Sequence, residues 1–129
     1  MAYPVEEFAA WLDTQLSDGI QVYDHAPDVG KLPAVICAPG DPVWGLITMA
    51  GPEPTFAWGV ACQIVVSRSQ PKFGTRAIVD ISMAIQAAAL AYEFPVEVIS
   101  LEDIDTGEVF GEEALAGTMP MIITRKEGT

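Results

Sequence analysis

The chain is poor in basic residues. It carries 6 Lys and Arg side chains against 18 Asp and Glu, which gives a formal net charge of −12 over 129 residues. A protein that wraps nucleic acid needs clustered Lys and Arg against the phosphates, so this balance argues against that class. It does not exclude a repulsive surface past which DNA slides, although an acidic surface also simply keeps a protein soluble.

Long apolar runs are missing as well. No stretch reaches the roughly 18 apolar residues of a membrane-spanning helix, and the opening MAYPVEEF lacks the basic and apolar regions of a signal peptide. Half of the residues are nevertheless hydrophobic, which is not typical of a disordered chain. We therefore expect a single domain over residues 1–129, with its own core and no membrane partner.

Cysteine is scarce, with only Cys37 and Cys62 in the chain. Their separation is not a metal-ligand spacing, and both lie in apolar, strand-like surroundings. We predict that they are buried free thiols that act as small hydrophobic side chains. A reducing cytoplasm fits this prediction.

Residues suited to catalysis are few. His25 is the single histidine, and its neighbour Asp24 would point to the opposite face of an extended strand, so no catalytic pair is expected. Neither a GxGxxG loop nor a GxxxxGKS or GxxxxGKT loop occurs. The run of Glu102, Asp103 and Asp105 matches a calcium loop only in part and is predicted to be a solvated acidic turn. The sequence thus indicates no enzyme, no metal and no cofactor.

The chain is organised around the alternating stretch Phe56–Ser69. Its even-numbered residues from 56 to 66 are bulky and its odd-numbered residues are mostly small or polar, which predicts a strand with one face in the core. At 14 residues it is far longer than the usual ~5–6, so it can extend past its own domain's core. The residues of its second face that permit close approach by solvent or by another subunit are Ala57, Gly59, Ala61 and Val65.

Period and turn signals place the other elements. Helices are predicted over 4–17, with Gly19 as a left-handed cap, and over 76–92, with Thr75 as the N-cap. The region 39–54 holds four prolines and three glycines, which predicts a loop or a projecting hairpin. The remaining predictions are strands at 20–24, 34–38, 43–49, 96–101 and 119–124, an acidic turn at 102–107, a short extended piece at 108–111, a connection at 112–117 and a polar tail at 125–129.

The predicted fold class is α+β, with one mostly antiparallel β-sheet and two α-helices packed on one face. The core is expected where the helical stripes meet the long strand. Its predicted members are Phe8, Leu12, Trp58, Val60, Ile64, Ile78, Ile81 and Ile85.

The order of these segments resembles a known group. The opening helix, the segment GIQVYDHAPD, the strand PAVICAPGD with its Gly-Asp-Pro loop, the long strand Trp58–Ser69, a helix and two closing strands together resemble the tail terminator proteins of long-tailed bacteriophages. The resemblance covers nearly the whole chain and rests on element order more than on invariant residues. It implies a structural virion protein of the tail or neck, assembled in the host cytoplasm as a ring of six. Such a ring caps the tail tube, ends its polymerisation and joins the head connector, while DNA passes through its channel without specific binding.

One basic corner interrupts the acidic chain, between the long strand and the second helix. It is predicted either as a solvated corner or as a contact with an acidic face of the neighbouring subunit. The expected interface residues are Arg68, Lys72, Arg76, Ala57, Gly59 and Ala61. Candidate acids on the next subunit are Asp24, Asp28 and Glu112.

Acidic side chains are expected around the channel or its rims, because a DNA conduit should not bind what it passes. The candidates are Asp41, Glu53, Glu102, Asp103 and Asp105. Three other functions stay open: another neck or head–tail joining protein, a small cytoplasmic enzyme or ligand-binding domain with its pocket between helices and sheet, and an adaptor that binds a protein as a monomer or dimer. The lack of a titratable cluster disfavours the ligand-binding domain, and native mass separates a ring from an adaptor.

Overall fold

The computed structural model describes residues 3–25, 27, 30–48, 55–67, 71–98 and 100–126, and at 41–42, 46–48, 71–73 and 126 it describes the backbone alone. In chain order the described elements are α1 (Pro4–Gln15), β1 (Gln21–Tyr23), β2 (Ala34–Thr48), β3 (Thr55–Ser67), α2 (Pro71–Leu90), β4 (Val96–Val98), β5 (Glu102–Val109) and β6 (Glu112–Lys126).

Helix α1 begins as the sequence predicts. Pro4 fills the first helical position, where its missing N–H leaves nothing unpaired, and two glutamates occupy the first turn, where the helix dipole favours acidic side chains. The helix ends at Gln15 rather than at residue 17, because Leu16 takes an extended conformation with φ −85° and ψ 159°. Gly19 does not have a positive φ, so the predicted left-handed cap is wrong.

Three long strands form the centre of the sheet. β3 pairs antiparallel with β2 on one side and with β6 on the other. The strand order is β1-β2-β3-β6-β4, and β5 pairs with the same edge of β6 as β4 does. The short β1 lies parallel to β2. The predicted long strand is confirmed as β3, with residues 68 and 69 of the prediction outside the described part of the chain.

Of the two predictions for residues 39–54, a loop or a projecting hairpin, the structure has the hairpin, because residues 39–48 belong to β2 and pair antiparallel with the next strand, β3. β2 continues to Thr48 and stays paired with β3, and a shift of register between Pro39 and Trp44 accommodates the Gly-Asp-Pro segment. Proline and glycine therefore produce an irregularity within a strand here instead of ending it. Residues 49–54 of the predicted loop lie outside the described residues.

The last third of the chain also holds more strand than the sequence predicts. The predicted acidic turn at 102–107 belongs to β5, and β6 absorbs both the predicted connection at 112–117 and the start of the predicted tail. Phe110 and Gly111 join β5 to β6, with φ of 55° and 80°. Positive φ at both central residues is the type I′ turn, whose twist matches that of the strands it connects.

Helix α2 is longer at its start than predicted. It begins at Pro71, a residue suited to the first helical position, so Thr75 lies inside the helix and is not its cap. It ends at Leu90, two residues before the predicted end at 92. The strand predicted over 96–101 is found at Val96–Val98 as β4, residues 100 and 101 are not in a strand, and residue 99 lies outside the described residues.

Both helices pack on one face of the sheet. One continuous buried cluster joins α1 and α2 to the inward residues of β2, β3 and β6. The predicted core residues all belong to it, with Trp58 partly buried at its margin. The α+β class with one mostly antiparallel sheet is therefore confirmed. Within the described part of the chain, neither helix is long and apolar enough to cross a membrane.

Candidate assembly surface

The face of the sheet opposite the helices carries the small residues of β3. Ala57, Gly59 and Ala61 alternate with the bulky residues of the core, and the register places Ile122 beside Gly59 and Pro120 beside Ala61. Gly59 is buried among its neighbours and the others are half-buried, yet none of them belongs to either buried cluster. This uncharged surface, called the bare face below, consists of Ala38, Ala57, Gly59, Ala61, Pro120 and Ile122.

The other end of the same sheet face is covered by the chain itself. Ile36, Val65 and Ala114 form a second buried cluster there. Val65 has no exposed surface, so its predicted place on a contact surface is wrong. The physical reason is the β5–β6 hairpin, whose loop packs an aromatic ring against this cluster. The partly buried residues around the cluster include Tyr23, Leu32, Val109 and Phe110.

The predicted basic corner is described only in part. Arg76 is exposed on the first half of α2. Lys72 lies in the first turn of α2 with its backbone alone described, and Arg68 lies outside the described residues. Of the acids proposed as its counterparts, Asp24 and Glu112 are exposed and Asp28 is outside the described residues.

The acids predicted near the channel are brought together along one strand. Glu102, Asp103 and Asp105 are exposed on β5, and Asp103, with φ 57°, lies within a shift of register between the other two. They are therefore part of an acidic strand, and charged side chains on such a strand discourage edge-to-edge pairing. Asp41 lies in β2 with only its backbone described, and Glu53 lies outside the described residues.

His25 contacts Asp24, although the sequence predicts that the two side chains point to opposite faces of a strand. Its Nδ1 lies 2.6 Å from Oδ1 of Asp24. β1 ends at Tyr23, so the two side chains are not held on opposite faces of a strand. Both are exposed, and in the part of the chain that the structure describes no three His, Cys, Asp or Glu side chains are placed to hold a metal ion. This pair is a solvated surface contact, of a kind that stabilises a fold little.

The two cysteines are buried free thiols, as predicted, and they face each other across β2 and β3. Their Sγ atoms lie 3.5 Å apart. The hydrogen bond with Cys37 and burial both raise the pKa of the Cys62 thiol well above its ordinary value. A thiol that keeps its proton is a poor nucleophile and a poor metal ligand, so this arrangement suits packing.

A buried arginine at the end of β6 was missed in the sequence. Arg125, only 7 % exposed, donates from Nη1 to Oε2 of Glu7 at 2.6 Å. Its guanidinium carbon lies 4.6 Å from the centre of the Phe94 ring. The ion pair and the ring contact tie the last strand to α1 and to the segment after α2.

Helix α2 presents a second apolar stripe beside the one that enters the core. Val79, Met83 and Leu90 are 42, 61 and 79 % exposed. Together with Gln86 they follow the spacing i, i+4, i+7 and i+11, which keeps them on one side of a helix. That spacing was visible in the sequence, but which of two apolar stripes faces the sheet is decided by packing. We call Val79, Met83, Gln86 and Leu90 the outer stripe of α2.

Comparison of the sequence with known protein families and with characterised proteins finds no match.

Proposed function

We propose that the protein is a tail terminator subunit of a long-tailed phage, whose copies form a ring, most simply of six, at the head-proximal end of the tail tube. The bare face is the observation that carries this proposal. An acidic chain leaves an uncharged part of its central sheet outside both of its buried clusters. An uncharged, partly apolar surface of this kind is typical of a contact with another protein chain.

The arrangement of elements supports the same proposal. A first helix leads into a short strand, then into β2, the long β3 and a second helix, which is the order on which the resemblance to tail terminators rests. The chain differs in having three strands after α2, where the resemblance implies two. The extra strand is the acidic β5, which pairs with the outer edge of β6.

The distribution of charge fits a conduit for DNA. The exposed acids of β5 and the net charge of −12 give the molecule a surface that repels phosphates. In the proposed ring these acids face the channel or its rims. DNA then passes without binding, because no counterions are released when an acidic surface approaches it.

The proposal is tested on tail tubes. Tube protein from the same phage is polymerised with and without this protein, and the lengths and ends of the tubes are measured by electron microscopy. A terminator is expected to shorten the tubes and to leave a ring on one end of each. If growth is unchanged and the protein binds the head connector instead, it is another neck protein. If it binds neither tube nor connector, the proposed function is wrong.

A further inference from the structure

Helix α2 is apolar on two sides. Its inner side enters the core, while the outer stripe leaves Met83 and Leu90 more than half exposed. The segment 81–90 contains no charged residue. A helix that is hydrophobic all round is normally covered on both sides. The outer stripe therefore has the apolar composition of a buried surface, although it is exposed in the single chain.

The bare face, on the side of the sheet away from the helices, is also uncharged and partly apolar. Its central residues, Ala57, Gly59 and Ala61, have little or no side chain, so a helix can approach the strands closely. Pro120 and Ile122 supply apolar contact beside them. None of the residues that define the bare face is charged, so no charge loses its solvation when an apolar helix covers them.

Charges at the margins of the two surfaces are complementary. Arg76 is exposed on α2, about one turn before Val79. Glu97 is exposed on β4 directly opposite Ile122, which places it on the same side of the sheet as the bare face and at its edge. Among the described residues, the other exposed charges near the outer stripe are Asp80, four residues after Arg76 on the same helix, and Glu93, three residues after Leu90. A helix laid on the bare face can bring Arg76 of one copy to Glu97 of the next.

We propose that the outer stripe of α2 in one copy packs on the bare face of the next copy. This inference rests on the proposed function, since it names the surfaces that join the ring. The two surfaces are different and lie on opposite sides of the molecule, so the contact is head-to-tail and repeats until a rotation closes it. In the assembled ring each sheet is then covered by helices on both faces, its own on one and its neighbour's on the other.

The contact is tested with one substitution on each surface. Met83→Glu and Ala61→Glu each place a charge in one half of the contact and leave the other half intact. Each variant alone is expected to lose the ring and run as a monomer, with association weakened at least about tenfold, which corresponds to ~1.4 kcal/mol. An equimolar mixture is expected to form one-to-one dimers, because the bare face of the Met83→Glu chain and the α2 of the Ala61→Glu chain are both intact.

A cross-linking arm keeps the test decisive if Ala61→Glu fails to fold. Chains carrying Met83→Cys are mixed with chains carrying Ala61→Cys and treated with a short bismaleimide, and the buried native thiols do not react. Cross-linked dimers are expected from the mixture and not from either chain alone. Asp13→Cys, exposed on α1, replaces Met83→Cys as the matched control and should give no dimer with Ala61→Cys.

The outcomes distinguish failure of this contact from failure of the proposed function. The contact is wrong if both glutamate variants still form the ring, or if Met83→Cys and Ala61→Cys cross-link no better than the control pair. Either result leaves the proposed function unaffected. If the ring forms only on tail tubes, the same variants and cross-links are scored there. A wild-type chain that stays monomeric both alone and on tubes overturns the proposed function, and the contact with it.

Discussion

Arg125 shows how far a single residue can depart from its sequence context. It lies in a polar C-terminal segment, which predicts an exposed tail, yet it is nearly fully buried between Glu7 and Phe94. The partners are distant in sequence: the packing of α1 on the sheet brings Glu7 to Arg125, and the pairing of β4 with β6 brings Phe94 to it. A buried cation of this kind cannot be predicted from local pattern, because its charge is balanced by a residue at the other end of the chain.

Ile81 tests the packing of α2 on the sheet. Its side chain belongs to the main core cluster, so Ile81→Ala should lower the free energy of unfolding by about 2–5 kcal/mol through lost burial and the cavity left behind. Leu90→Ala is the matched control on the same helix at a concentration where the chain is monomeric. Because Leu90 is 79 % exposed in the single chain, its effect there should stay within about 0.5 kcal/mol. Urea denaturation measures both. Equal effects of the two substitutions would contradict the placement of α2.

The thiols offer a second test at the residue scale. At a pH near the ordinary thiol pKa of about 8.5, neither Cys37 nor Cys62 of the folded chain should react with a disulfide reagent on the timescale of a free thiol, whereas both should react in denaturant. Rapid reaction of the native protein would show that the β2–β3 contact opens.

The raised pKa of Cys62 also fixes the direction of a pH effect. The folded chain holds this proton more tightly than the unfolded chain, so the stability linked to it is fully present below the unfolded pKa and is lost as the pH rises towards the folded one. The free energy of unfolding should therefore fall at alkaline pH, and it should fall less steeply in Cys62→Ala, as measured by urea denaturation across that range. A parallel decline in the variant would assign the effect to other groups.

Among the helices and strands, the sequence predicted those whose apolar residues follow a regular period. The alternation of 56–66 located β3, and helical spacing located α1 and α2 and most of the core. The predicted ends of the elements were wrong where pairing between strands overrides the local turn signals. Proline and glycine over 39–54 predicted a loop or a hairpin, but they did not predict that β2 stays paired with β3 across this segment through two shifts of register. The acidic run at 102–107 predicted a turn, but pairing with β6 makes it a strand.

The sequence predicted part of the candidate assembly surface. The alternation correctly set Ala57, Gly59 and Ala61 apart from the core, whereas Val65 continues the same pattern and is buried. The difference arises from the β5–β6 hairpin, which covers one end of the sheet and leaves the other end bare. The outer stripe of α2 was not predicted, because both sides of that helix are apolar and only packing shows which side is left outside.

Gly40 tests the close contact of β2 with β3. A Cβ at this position would lie 2.9 Å from the backbone carbon of Gly59 and 2.9 Å from the nitrogen of Val60, and backbone atoms cannot rotate away as a side chain can. Gly40→Ala should therefore lower the melting temperature and cost about 1–3 kcal/mol, the usual range for overpacking. Gly45→Ala is the matched control in the same strand, where a Cβ would meet no atom within 4 Å. A stable Gly40→Ala variant would mean that the two strands are further apart.

At the scale of the whole molecule, charge is the dominant property. The formal charge of −12 is spread over a small chain, and the bare face and the outer stripe of α2 are uncharged exceptions to it. Copies of such a chain repel one another except where uncharged surfaces meet. The same repulsion predicts the behaviour of the ring towards DNA.

The protein should not bind duplex DNA with submicromolar affinity at physiological salt. Association with DNA is driven by the release of its counterions into solution when Lys and Arg neutralise the phosphates, and this chain has 6 of these residues against 18 acids. Fluorescence anisotropy of a labelled duplex measures this, with a basic DNA-binding protein as the positive control. Submicromolar binding would contradict the proposed arrangement of acids around a channel.

The ring itself is tested most directly by native mass. Analytical ultracentrifugation or native mass spectrometry of the wild-type chain, alone and on tail tubes, is expected to give a closed species of about six times the 13.8 kDa of one chain. Met83→Glu should reduce that species to folded monomers. A wild-type chain that remains a monomer or a dimer under both conditions would contradict the account.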